Sequence, residues 1–289
     1  MKDWKRMCVA AALLVAVSSA GVAHAKPAAL KEHGNGAMLN DPSLTEAQRE
    51  QLERECLEKE AALGITRGTA PSCMCGPSSA PPTIQGSIGI QCLPVMNRYG
   101  YKVKYVPCYA QERSYWCGPA AARQSLYWHR AVSGSGVALP SQTTLAGKIG
   151  TTTLGSSTAR IAGALNAYRG IFGNYYYVAA DISNTADPLG AFYARIGGML
   201  ASNAGGTVPI ILVQTYYVTR YGGHSSRHYM TVSGIDDRYV PVRMRDVDPN
   251  WSAVYRGTYW DAVGCTQHNG LCRGCYQADL AGNNLAMAW

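Results

Sequence analysis

Beyond its first twenty-five residues, the chain has no apolar segment long enough to cross a bilayer, which needs about 20 consecutive apolar residues. It also lacks an internal repeat and a stripe of clustered basic and aromatic side chains. These absences argue against a membrane-spanning protein, a repeat architecture and a nucleic-acid partner. The net charge of +8 is typical of proteins that meet anionic partners, such as acidic substrates or cell-wall polymers, and also of many ordinary secreted proteins.

The first twenty-five residues have the organisation of a secretory signal peptide. Lys2, Lys5 and Arg6 form a basic start, an apolar run follows over residues 7–17, and Ala23-His24-Ala25 supplies a cleavage site. We therefore expect residues 1–25 to be removed and the mature protein to be secreted, into the periplasm or outside the cell.

Export changes the interpretation of the ten cysteines. Removal of Cys8 with the signal leaves an odd number, which indicates a free thiol or an intermolecular partner. If Cys117 is the free thiol, four disulfides could form. The eight cysteines then available are Cys56, Cys73, Cys75, Cys92, Cys108, Cys265, Cys272 and Cys275.

Residues 26–104 form a leader that differs in composition from the rest of the chain. A capping-box pattern at Ser43 predicts a charged helix that runs to about Leu63, and a Pro, Ser and Gly-rich linker spans residues 68–82. The leader is either a propeptide that covers an active site or a disulfide-rich N-terminal extension that stays in place. The sequence leaves both open.

Residues 105–289 have the length of one domain, with predicted helices before predicted strands. The helices are predicted over 116–129, 152–168 and 188–203, and the strands over 209–214, 228–235 and 239–244. This order favours an α+β domain in which N-terminal helices pack on one side of an antiparallel sheet.

Gln111 and Cys117 form the most informative pair in the chain. A cysteine that opens a helix lies where the helix dipole stabilises a thiolate. A glutamine six residues earlier can place its side-chain amide beside the cysteine backbone N–H, so that both donate to one developing oxyanion. The pair therefore predicts a thiol acyl-transfer site.

Such a site needs a base, and two histidines are serious candidates. His228 opens a predicted strand, whereas His224 lies in a Gly and Ser-rich loop. A histidine fixed by a strand is better placed for proton transfer, so we predict His228 as the base. A third group must orient the imidazole, and antiparallel pairing would bring Asp248 back toward His228. Asp246, two residues earlier on the same face, is the alternative.

These residues, taken in order, resemble the C39-like cysteine peptidases of the papain-like superfamily. The resemblance rests on Gln111, on Cys117-Gly118-Pro119-Ala120, on the strand from His228 that ends in Gly234-Ile235-Asp236, and on Asp248-Pro249. It covers about residues 106–260. It implies a papain-like fold, Cys117 as nucleophile, His228 as base, Asp248 as its orienting group and Gln111 in the oxyanion hole.

We therefore expect a secreted cysteine peptidase that acts on a peptide or protein and needs no cofactor. Trp116, Tyr221 and His224 are candidate substrate contacts. Two other functions use the same site: cleavage of peptidoglycan cross-links, and acyl transfer to an amine. A non-catalytic binding module on the same scaffold is a further alternative.

The tail offers a competing pattern, Cys265-x2-His268-x3-Cys272-x2-Cys275. These spacings could hold a structural zinc ion. In an oxidising compartment, disulfides are the commoner outcome for such cysteines, so no metal site is predicted.

Overall fold

The structure is a computed structural model that describes Glu55, Glu58 and residues 99–289, except residues 186, 203–205, 239, 265–266 and 283–284. The predicted signal peptide, most of the leader and the cysteines at 56, 73, 75, 92 and 265 lie outside the described residues. The disulfide-rich extension therefore stays a prediction. The four cysteines described, Cys108, Cys117, Cys272 and Cys275, are free thiols.

Five α-helices occur in the described part of the chain after residue 99. They are α1 (Cys117–Ser133), α2 (Gln142–Ile149), α3 (Thr158–Asn166), α4 (Pro188–Ala201) and α5 (Leu271–Leu280). Local chemistry sets several of their ends. The Ser141 side chain accepts a hydrogen bond from the Thr144 N–H and so caps α2, and α1 ends at Gly134 in the left-handed conformation.

The helix expected over 152–168 is shorter than predicted. Thr152 and Gly155 exchange two backbone hydrogen bonds, of 3.1 and 2.9 Å, and close a turn, with Gly155 at φ +96°. Helix α3 therefore starts at Thr158. The separate helix α2 was not predicted, because its eight residues carry only a short apolar pattern.

Seven strands form one sheet among the described residues, and every pairing in it is antiparallel. The strands are β1 (Tyr101–Val103), β2 (Ala179–Ala180), β3 (Ile210–Gln214), β4 (Arg227–Asp236), β5 (Arg243–Asp248), β6 (Gly257–Ala262) and β7 (Met287–Ala288). Their order is β2-β7-β3-β4-β5-β6, and β1 pairs with β4. The α+β class with an antiparallel sheet is thus confirmed.

Strand β4 is the longest and organises the sheet. Its first half pairs with β3, its second half pairs with β1, and β5 lies along its other edge with Thr231 opposite Val247. Because β4 and β5 are antiparallel, the start of β4 and the end of β5 meet at one end of the sheet. The strand expected over 239–244 begins only at Arg243, since Pro241 has no N–H to donate to a ladder.

The C-terminal helix α5, which the sequence did not predict, covers the face of the sheet opposite to α1. Thr231 of β4 donates to the Ala121 carbonyl of α1 at 3.2 Å. Gly274 of α5 packs against Val213 of β3, whose cross-strand partner is His228. Residues 228 and 231 point to opposite faces of a strand, so α1 and α5 cover opposite faces. Helix α5 was missed because its cysteines suggested a disulfide-linked tail.

No described helix is long and apolar enough to cross a membrane.

An ion pair connects the leader to α4. Glu55 Oε2 lies 2.9 Å from Nη2 of Arg195, whose side chain is fully buried. Because loss of one partner leaves a buried charge without its counter-ion, we expect Glu55→Ala to lower the free energy of unfolding by about 3 kcal/mol. Chemical denaturation of the purified protein measures this change.

Glu58 provides a matched control one turn away. It is exposed, and its Oε1 accepts a hydrogen bond from the Tyr176 hydroxyl at 3.2 Å. We expect Glu58→Ala to leave the denaturation midpoint almost unchanged, because exposed polar pairs add little stability. An equal loss in both variants would show that the buried ion pair has no special role.

Candidate active site

Cys117 lies at the first position of α1 and is buried. The next residue must be small, because a Cβ at Gly118 would lie 2.4 Å from Ser156 Oγ. This close approach packs the start of α1 against the segment that precedes α3. The thiol therefore occupies a tightly packed helix start, where free backbone N–H groups favour negative charge.

His228 is the second residue of β4. Its Nε2 lies 2.7 Å from Oδ1 of Asp248, and the ring and the Cys117 thiol are close enough that each shifts the pKa of the other. Since Asp248 occupies Nε2, Nδ1 is the ring nitrogen left for the thiol. The structure thus brings Cys117 and His228 together in one pocket, with Asp248 bound to the imidazole.

Asp248 ends β5 and uses both carboxylate oxygens. Oδ1 also accepts from the Asn250 backbone N–H at 2.9 Å, and Oδ2 accepts from the Tyr221 hydroxyl at 2.5 Å and from Arg220 Nη1 at 2.7 Å. Asp246, the alternative orienting group, pairs with Arg220 Nη2 at 2.6 Å. It lies opposite Val232, farther along β4, and therefore Asp248 is the carboxylate that contacts the imidazole.

The pKa shifts follow from these contacts. Burial tends to raise the pKa of Cys117, but the hydrogen bond and charge of His228, with help from backbone hydrogen bonds at Tyr229 and Gly118, lower it overall. Burial tends to lower the pKa of His228, but Asp248 and Cys117 raise it to about 10. Asp248 keeps a lowered pKa despite burial, since His228, Arg220 and Tyr221 stabilise its charge. The arrangement favours a thiolate beside an imidazolium.

Gln111 lies in the loop before α1 and is buried. Its backbone N–H donates to the Pro249 carbonyl at 2.7 Å, and its side-chain Nε2 donates to the Arg113 carbonyl at 2.9 Å. One hydrogen of the side-chain amide is left for another acceptor. The loop is therefore anchored directly to the residue after Asp248.

Gln111, Cys117 and His228 line one pocket with a volume of about 320 Å³. This volume is within the range of small-molecule and side-chain pockets. The other lining residues are Ser114, Tyr115, Thr153, Leu154, Gly155, Ser226, Arg227, Asn250 and Trp251.

The three expected substrate contacts do not line this pocket. Trp116 is buried at the start of α1, with Arg113 stacked 4.8 Å from its ring. Tyr221 is buried and holds Asp248 instead of facing the pocket. His224 is exposed, 5.8 Å from the Tyr255 ring. These side chains were expected to contact substrate because they are aromatic. In the structure their contacts are with other residues of the protein.

Arg220 is the residue that sequence reasoning missed. Its guanidinium binds Asp246, Asp248 and Asp261 at 2.6 to 2.8 Å. The same group lies 4.7 Å from the Tyr221 ring and 4.4 Å from the Tyr259 ring. No local motif marks this arginine, because its partners come from two other strands. It neutralises charge that would otherwise collect behind His228.

The tail does not form a metal cluster in the part of the chain that the structure describes. Cys272 and Cys275 are buried in α5, and burial raises the pKa of both thiols. Their Sγ atoms face the Pro188 and Ala286 carbonyls, respectively. Cys265, the first cysteine of the pattern, lies outside the described residues.

A comparison with protein families agrees with this geometry. The chain belongs to the Peptidase_C39 like family, whose model matches residues 103–268. The predicted family resemblance is thereby confirmed, and at a coarse level the chain is a peptidase-type hydrolase. No curated protein matches the sequence.

Proposed function

We propose that this protein is a secreted cysteine peptidase that hydrolyses peptide bonds at Cys117. The observation that supports this most is that Cys117 and His228 line one pocket, with His228 Nε2 held 2.7 Å from the Asp248 carboxylate. A nucleophile, a base and an orienting carboxylate in contact are what covalent acyl transfer requires. The predicted signal peptide supports secretion.

In the first step, His228 holds the proton of the Cys117 thiol, and the thiolate sulfur bonds to the scissile carbonyl carbon. Collapse of the tetrahedral intermediate breaks the C–N bond, and the imidazolium gives its proton to the leaving amine. Water, deprotonated by His228, then attacks the thioester, and the thiol is released with the carboxylate product. Asp248 stabilises the imidazolium at each stage.

Gln111 and the Cys117 backbone N–H would stabilise the oxyanion. Gln111 and Cys117 both line the pocket, and the Arg113 carbonyl uses only one of the two hydrogens of the Gln111 amide. Donors that are already in place lower the barrier because they need no rearrangement as charge develops. Loss of one such donor costs about 10²-fold or more in kcat.

The ion pair predicts the pH dependence of thiol reactivity. Cys117 has a lowered pKa and loses its proton below the ordinary thiol range, whereas Cys108 has a raised pKa, because of burial and the nearby Asp248. We expect iodoacetamide to modify Cys117 quickly at neutral pH and Cys108 only at alkaline pH. Mass spectrometry of peptides after timed alkylation gives both rates.

The rate of peptide hydrolysis should decline above about pH 10, where the His228 imidazolium loses its proton.

The Cys117→Ala variant is the control for the site of alkylation. It should lose the fast phase and keep the slow phase at Cys108. Equal rates at the two cysteines across pH 5 to 9 would rule out the ion pair. A fast-reacting Cys117 in a protein that cleaves neither casein nor purified cell wall would contradict the proposed hydrolysis and leave acyl transfer to an amine or a binding module.

A further inference from the structure

Two exposed apolar side chains stand on the rim of the active-site pocket. Leu154 is 98% exposed and Trp251 is 58% exposed, and both line the pocket that holds Cys117. Single exposed apolar residues are common on protein surfaces, so exposure alone means little. Their position is informative, because a substrate in the pocket would cover both and gain the free energy of burying them.

The backbone holds Leu154 out in solvent. Thr152 and Gly155 exchange two backbone hydrogen bonds, and the Leu154 N–H donates to Thr152 Oγ1 at 3.2 Å. Three hydrogen bonds in a four-residue turn keep the leucine from folding back onto the protein. The turn belongs to the helical half of the site, between α2 and α3.

Trp251 is presented by the sheet half of the site in a similar way. The Asn250 backbone N–H donates to Asp248 Oδ1 at 2.9 Å, and the Ser252 N–H donates to the Asn250 side-chain oxygen at 2.8 Å. The turn that carries Trp251 is thus built on the carboxylate that contacts His228. A group held against Trp251 would lie close to the reacting atoms.

The charges of the lining residues indicate which substrate side chains the pocket can accept. The lining residues, all within the described part of the chain, include no carboxylate, and Arg227 is the cationic residue beside His228. A basic substrate side chain would find no counter-ion there. A bulky apolar side chain would instead find Leu154 and Trp251.

We propose that Leu154 and Trp251 determine specificity, and that the substrate is an extended polypeptide with a bulky apolar residue next to the scissile bond. This inference rests on the proposed peptidase function. It predicts preference for denatured proteins or apolar peptide segments over cell-wall peptides, whose residues are small or charged.

The test is a map of the bonds cleaved in β-casein, with kcat/KM for one peptide chosen from that map. Wild-type protein should cut bonds flanked within two positions by Leu, Ile, Met or Phe. Leu154→Ser and Trp251→Ser should each lower kcat/KM for the peptide about tenfold, mainly through KM. Val254→Ser is the matched control, since Val254 is 77% exposed in the same loop and does not line the pocket. It should match wild type.

Alkylation of Cys117 separates two kinds of failure. All three serine variants should keep the wild-type alkylation rate, which shows an intact site. Cleavage at bonds without flanking apolar residues, or wild-type kcat/KM in both rim variants, overturns the specificity inference and leaves the peptidase proposal standing. Absence of any cleavage by wild-type protein overturns both.

Discussion

Replacement of His228 by alanine is expected to lower kcat/KM for peptide hydrolysis by about 10³-fold. The thiol of Cys117 would lose its base and the imidazolium that lowers its pKa, so it would return toward an ordinary buried thiol. Alkylation at neutral pH should slow in parallel. Initial rates with a peptide and timed iodoacetamide reaction measure the two effects.

His224→Ala is the matched control for this experiment. His224 lies four residues earlier, is exposed and lies outside the pocket lining. It should retain wild-type kinetics. His228→Gln keeps a polar side chain of similar size and provides the same test if the alanine variant does not fold. Wild-type activity in either His228 variant would exclude this histidine as the base.

Asp248→Asn is expected to lower kcat/KM by about 10²-fold or more. Asparagine keeps the shape of the side chain but removes the charge that raises the pKa of His228. The imidazolium would then deprotonate at lower pH, so the alkaline limb of the pH–rate profile should move below pH 10. A pH profile of kcat/KM for wild type and variant shows this shift.

Asp246→Asn is a demanding control, because Asp246 is also fully buried and also binds Arg220. Burial, with the nearby Asp261 and Asp248, raises the pKa of Asp246 well above its usual range in spite of Arg220. Since Asp248, and not Asp246, contacts the imidazole, Asp246→Asn should leave the alkaline limb of the pH profile close to that of wild type. Similar shifts of the alkaline limb in both variants would mean that Asp246, Asp248 and Arg220 together, and not Asp248 alone, set the pKa of the imidazole.

The sequence predicted those parts of the site that depend on local pattern and chain order. Cys117 at a helix start follows from Gly118-Pro119 and the apolar residues after it. The pairing of His228 with Asp248 follows from two consecutive strands, since antiparallel neighbours return to the same end. The choice between Asp248 and Asp246 needed the register of β4 and β5, which shifts between Val232 and Gly234.

The remaining parts depend on contacts that no local pattern encodes. Arg220 lies in a short helical turn, and its three carboxylates come from β5 and β6. Helix α5 has an apolar face, but its cysteines suggested covalent staples. Leu154 falls inside a predicted helix, and only the turn from Thr152 to Gly155 places it on the rim of the pocket.

The backbone hydrogen bond from Gln111 to Pro249 has a mechanical consequence for the cleft. Gln111 is the predicted oxyanion donor, and Pro249 directly follows Asp248 at the end of β5. The bond therefore ties the loop before α1 to the end of the sheet that carries Asp248. A hinge motion that parted the loop from the sheet at this point would break the bond and misplace both groups together. While this bond is made, the floor of the cleft is closed beside Asp248, and the open approach to Cys117 is over the rim.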